Sequence, residues 1–203
     1  MISLAALSPF VRRRGATAAG ARCELCGTPI GPEHRHLVDT VERRLKCGCP
    51  ACALLFDRPG QRFRAAPDRW LHDPAFVIDD ARWSALGVPV RLAFFLRHGD
   101  SGHWAALYPG PAGATESTLP LDAWNDLCAA TPLCAAVEPD VEALLVAGDG
   151  HGRYDCFLVP ISACYELVGR VKRCWRGFDG GDEARRAVAD FFERARARAE
   201  AVA

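Results

Sequence analysis

Cys23-Glu24-Leu25-Cys26-Gly27 and Cys47-Gly48-Cys49-Pro50-Ala51-Cys52 are the stretches that decide how this chain is read. Each carries a pair of cysteines separated by two residues, and 22 residues lie between Cys26 and Cys49. Two intervening residues let the chain close one tight turn, so both sulfurs of a pair face the same point. Gly27 supplies the permissive backbone that such a turn needs. A hairpin that joins the two pairs gives four sulfurs around one ion, the closed coordination of structural zinc. The expected metal is therefore Zn2+, held by Cys23, Cys26, Cys49 and Cys52.

Three neighbours are alternative ligands: Cys47, and His34 and His36 in the arm between the half-sites. Cys47 and Cys49 are expected to point apart, which leaves Cys47 as a packing residue or a free thiol near the metal. Four thiolates also suit iron, and softness alone does not separate the two metals. The half-sites are similar to those of rubredoxin, whose single iron carries electrons. The arm here is charged (Arg35, Glu42, Arg43, Arg44) and lacks the aromatic residues that fill a rubredoxin core. Zinc is the reading taken.

Outward from this module, half of the 203 residues are apolar. No run reaches the ~18 apolar residues of a membrane span. Near the start an apolar run at 2–7 precedes Arg12, Arg13 and Arg14, the reverse of the order in a secretory signal. A cytoplasmic location is expected, with residues 1–20 as a flexible leader. Metal binding then explains the cysteine pairs better than disulfides do. Cys128, Cys134, Cys156, Cys164 and Cys174 lie in apolar surroundings and are expected to be small buried hydrophobes.

Net charge is zero, but residues 1–70 hold 12 Lys+Arg against 6 Asp+Glu, and residues 71–203 hold 13 against 19. The basic part has no dense Lys/Arg stripe with interleaved aromatics, which argues against nucleic-acid binding. Opposite charge suits the two parts to attract each other or a partner.

Residues 58–87 contain Pro59, Gly60, Pro67 and Pro74 and read as a linking segment, with one short helix after Asp79. The runs 90–96 and 103–108 flank Asp100-Ser101-Gly102 and predict a hairpin, followed by a polar strand at 115–119. Leu121, Trp124, Leu127 and Cys128 share one face of a helix expected over 121–129. The runs 141–146 and 154–159 around Gly148-Asp149-Gly150 predict a second hairpin. Ser162 is expected to cap a helix carrying Cys164, Leu167, Val168, Val171 and Trp175, and Asp182 to cap a last helix with Val188, Phe191 and Phe192 inward. The fold class is α+β. A zinc-ribbon-like four-cysteine knuckle module (21–57) precedes an α+β domain (88–199), whose mostly antiparallel sheet is followed by C-terminal helices.

A catalytic zinc needs an open position, and four cysteines leave none. No phosphate-binding loop, dinucleotide fingerprint, serine elbow or zinc-protease helix motif occurs. A thiol enzyme would need Cys156 near His98 or His103; a core cysteine and two surface histidines is the simpler reading. Most of the five tryptophans are expected to fill core. Trp175, Arg176 and Phe178, at the corner between the last two helices, are the candidate partner-docking residues.

Asp68-Arg69-Trp70, the runs 90–108 and 159–169, and Trp175-Arg176-Gly177, together with the paired cysteines, resemble one family of bacterial proteins that has no established activity and is encoded beside nickel–iron (NiFe) hydrogenase genes. The resemblance spans most of 21–195. It implies a non-enzymatic accessory protein that assists assembly or maturation of such a hydrogenase, with a hydrogenase subunit or maturation factor as partner. The alternative it implies is a rubredoxin-like carrier that supplies the hydrogenase with electrons.

Overall fold

The computed structural model describes residues 20–58, 60–117, 124–125, 128, 131–177 and 180–202. Two sheets carry the fold. The smaller is an antiparallel hairpin, β1 (Arg35–Asp39) and β2 (Arg44–Gly48), joined by β3 (Phe63–Ala65) on the other side of β1, and it leads into helix α1 (Pro50–Phe56).

The larger sheet contains β4 (Leu71–Asp73), β5 (Leu92–Arg97), β6 (Trp104–Gly110), β7 (Gly113–Glu116), β8 (Glu142–Gly148), β9 (Tyr154–Pro160) and β10 (Glu200–Ala201). Its strand order is β10-β4-β9-β8-β5-β6-β7, and every pairing is antiparallel except β10 with β4. Helices α2 (Asp80–Ala85), α3 (Pro132–Ala136), α4 (Ile161–Cys174) and α5 (Gly181–Arg198) complete the described elements. The α+β class, the mostly antiparallel sheet and the C-terminal helices are as the sequence predicts.

Both expected hairpins form, β5–β6 and β8–β9. The central strands read as unbroken apolar runs because both faces are covered. Phe94, Leu145, Phe157 and Val159 face Leu167, Val168, Phe191 and Phe192 of α4 and α5. Their neighbours Phe95, Leu144, Cys156 and Leu158 face Trp83, Trp124 and Leu133 on the other side. Strand alternation divides each run between two cores. Trp83 and Trp124 are buried, while Trp70, Trp104 and Trp175 are half-buried against the cores.

Three details differ from the sequence reading. Strand β9 runs directly into α4, so Pro160 occupies the N-cap and Ser162 lies inside the helix; the first amide, Ile161 N–H, is taken by the Val141 carbonyl at 2.9 Å. The last helix is capped by Gly180 at φ 86°, with Asp182 in its first turn. Cys128 and Cys134 form a disulfide and are not free core thiols. Of the helix expected over 121–129 only Trp124, Asn125 and Cys128 are described, and all three are helical.

The stretch 58–87 has more regular structure than its prolines suggest. It holds β3, β4 and α2. Asp68-Arg69-Trp70 reaches three distant elements. Asp68 pairs with Arg198 at the end of α5. Arg69 grips the fully buried Glu142 with Nε and Nη2 at 2.9 and 2.5 Å. The Trp70 ring lies beside Phe191 and beneath the Arg198 guanidinium, 5.0 Å from its centroid.

Candidate metal centre

The first cysteine pair sits on a tight turn. Gly27 N–H donates to the Cys23 carbonyl at 2.8 Å, and Gly27 takes φ 76°, the left-handed region where glycine carries no steric penalty. The second pair is the beginning of α1. Cys49 is its N-cap, Pro50 fills the first turn, where no amide donor is needed, and Cys52 N–H points at Cys49 Sγ over 3.4 Å. Leu25, Ile30 and Phe56 close around the buried Cys23, Cys49 and Cys52.

The four sulfurs lie within 4.8 Å of one another, and Cys26 Sγ is 3.7 Å from Cys49 Sγ. A tetrahedral ion with metal–sulfur bonds of about 2.3 Å needs sulfur–sulfur separations of about 3.8 Å. The donor set therefore fits one ion, and the four cysteines could bind a metal.

The thiols differ in how readily they ionise. Burial pushes Cys23 up, but backbone amides of Cys49, Cys26 and Leu25 together outweigh it and bring the thiol down to about 6. The Thr28 hydroxyl and then its amide lower Cys26. Burial, followed by the neighbouring sulfurs, drives Cys52 up to about 12. Without a cation the cluster resists holding several thiolates, since each opposes ionisation of the next. A divalent ion removes that opposition and draws off the protons.

Strand alternation does not separate Cys47 from Cys49, because residues two apart on a strand share a face. The separation arises because β2 ends at Gly48 and the chain turns into α1 at Cys49. Cys47 instead groups with His34 and His36, apart from the four sulfurs. Glu24, which the sequence reading passes over inside its half-site, bridges the two groups. Its amide donates to the Cys47 carbonyl at 2.8 Å, and its carboxylate accepts from Cys47 N–H at 2.6 Å.

Cys156 is fully buried on β9, and burial, then Asp73 and Asp155, raise its thiol far above the usual range. Its register partner Val146 pairs in turn with Ala93. His98 follows five residues along that strand, about 16 Å away. No thiol–imidazole pair forms there. His98 and His103 meet each other across the hairpin, through a backbone bond of 2.9 Å. Trp175 is half-buried with Nε1–H on the Gly177 carbonyl, Arg176 is exposed, and Phe178 lies outside the described residues.

These features define an α+β protein with an N-terminal cluster of four cysteines able to take a metal ion, and, among the described residues, no helix long and apolar enough to cross a membrane. The chain belongs to DUF5947, a family of unknown function, whose profile matches residues 22–199. No curated protein and no solved structure matches it.

Proposed function

We propose that the chain is a zinc-binding, non-enzymatic accessory protein that acts through protein–protein contacts in the cytoplasm, assisting assembly or maturation of a NiFe hydrogenase. The observation that carries this reading is the four-sulfur cluster: Cys23, Cys26, Cys49 and Cys52 surround one point and leave an ion there no vacancy for substrate. In this reading the zinc fixes a ribbon-like knuckle module over 21–57 against the α+β domain of 88–199. The exposed Leu54 and Leu55 of α1 and the Trp175-Arg176 corner are surfaces on which a partner would dock. The hydrogenase link rests on the family resemblance of the sequence.

Metal analysis of anaerobically purified protein tests the first half. Colourless protein that loses one zinc ion per chain in Cys23→Ser supports it; red protein with one iron per chain replaces it with the rubredoxin-like carrier, since an iron site would use the same four sulfurs. A pull-down from cells making the hydrogenase tests the second half, and recovery of none of its subunits or maturases counts against it. Thiol reductants of the cytoplasm oppose the Cys128–Cys134 bridge. Alkylation of freshly extracted protein that finds these two cysteines protected therefore counts against that location.

A further inference from the structure

We infer that the same hairpin carries a second metal site, built from His34, His36 and Cys47, in which a zinc ion keeps one exchangeable coordination position. The inference does not depend on how the four-cysteine cluster is filled.

The hairpin register brings the three side chains together. His36 and Cys47 are direct partners across β1 and β2. The backbone N–H and C=O of Cys47 are both turned to Glu24, and the His36 carbonyl accepts from Ala66 N–H on the β3 side. The pair is thus a non-hydrogen-bonded one, in which facing side chains approach most closely. His34 precedes His36 by two residues, the spacing that shares a face in extended chain. The two imidazole centroids are 4.8 Å apart. One donor atom from each of the three residues falls within 4.8 Å of the others. Coordination of one zinc by two nitrogens and a sulfur needs separations of about 3.5 Å, so side-chain adjustments of about 1 Å close the site.

The second observation concerns His34 alone. Its Nδ1 lies 3.0 Å from the Gly31 carbonyl, a group that can only accept, so Nδ1 carries the proton. Nε2 is left with its lone pair, is buried, and has no hydrogen-bond partner. A buried imidazole lone pair held in one tautomer by a backbone carbonyl is the arrangement of a metal ligand with its outer support already made. Two imidazoles and one thiolate suit zinc, and three protein ligands leave a fourth position open. His34 and His36 line a groove shared with Ser162, Tyr165 and Glu166 of α4. Glu166 is engaged by Arg170 at 2.7 Å, which leaves the open position to water or to an incoming donor.

The test is metal stoichiometry of the full chain, loaded with Zn2+ and freed of excess. The wild type is expected to hold two ions, and Cys47→Ala and His34→Ala one each. Cys23→Ser is expected to lose the other ion and keep this one. Titration with Co2+ separates the sites by spectrum. The second site has one thiolate where the first has four, so its sulfur-to-cobalt band should have about a quarter of the intensity. His34 lies outside β1, so His34→Ala keeps the test decisive if Cys47→Ala fails to fold. One ion in the wild type, lost on Cys23→Ser, overturns the second site and leaves the four-cysteine site standing. Two ions retained in both Cys47→Ala and His34→Ala also overturn it.

Discussion

Replacing Arg69 by Met would strand a buried carboxylate. Glu142 has no exposed side-chain surface, and Arg69 meets both its oxygens while also donating to the Ala136 carbonyl at 2.8 Å. Met keeps the aliphatic stem and removes the charge. Removing one partner of a fully buried ion pair costs about 3–5 kcal/mol. Two features lower that figure here. Glu142 still accepts from Glu138 N–H at 2.9 Å, and the Arg69 side chain is 44% exposed, so water can reach the vacated place. A cost of about 2–3 kcal/mol follows, or a fall of about 5–10 °C in thermal midpoint for a chain of this size. The assay is thermal unfolding of Arg69→Met and of Arg69→Met/Glu142→Gln. The neutral amide can still accept from Glu138 N–H but strands no charge, so the double variant should regain about 1 kcal/mol. A single variant within about 1 °C of the wild type, or a double variant no more stable than the single, would refute the reasoning.

Other outcomes follow from the same contacts. The Arg62 guanidinium beside Asp39, with the amides of Glu42 and Val41, holds that carboxyl down at about 2 against an ordinary 3.8. A depressed carboxyl stabilises the fold above its unfolded value and ceases to as pH falls through the folded one. The stability gap between wild type and Arg62→Met, measured by urea unfolding, should therefore be flat above about pH 5 and shrink as pH falls through about 4 to 2; a gap independent of pH would exclude this origin. A Cβ at Gly48 would meet Leu37 Cδ1 at 2.1 Å, and Leu37 is fully buried. Gly48→Ala should cost about 1–3 kcal/mol in thermal unfolding, and a neutral result would show that Leu37 turns aside freely. Trp124 is fully buried and stacks on Phe95 at 3.7 Å and 3°. Trp124→Ala should lower stability by about 3–5 kcal/mol and flatten the near-ultraviolet circular dichroism; a loss under about 1 kcal/mol would mean the stack contributes little.

What the sequence made legible was local. Cys23 and Cys26, and Cys49 and Cys52, announce themselves because each pair needs only a turn to converge. The runs around Phe94, Leu144 and Phe157 were readable as strands because apolar side chains fill both faces. The missed features depend on distant partners. Nothing near Arg69 reveals Glu142, 73 residues on, and Asp68 meets Arg198 at a separation of 130. The sequence of the linking stretch therefore gives no sign that it binds β8 and α5 together. Cys128 and Cys134 gave no sign of pairing, since a separation of 6 in an apolar stretch fits a packed core as well as a bridge. His34, His36 and Cys47 were visible as metal-binding types, but their grouping depends on which β2 residue faces His36, and sequence does not set that register.

That register also determines what an ion in the four-cysteine cluster can organise. Val38 and Leu45 are β1–β2 partners and, with Ala66 beyond β3, enter the same core as Phe94 and Val168. The hairpin is therefore held on the large sheet by apolar burial that needs no metal. The turn carrying Cys23 and Cys26 has no such anchor. Its apolar neighbours are the part-buried Leu25, Ile30 and Phe56, and hydrogen bonds to Cys47, Thr28 and Arg22 supply the rest of its support. The free energy of binding an ion there would thus go to the knuckle and the start of α1, where the apolar contribution is smallest. Glu24 joins that knuckle to Cys47 through two hydrogen bonds. The position opposite His36 is set separately, by the β1–β2 pairing and the burial of Val38 and Leu45, so Cys47 keeps its place whether or not the four-cysteine cluster is filled.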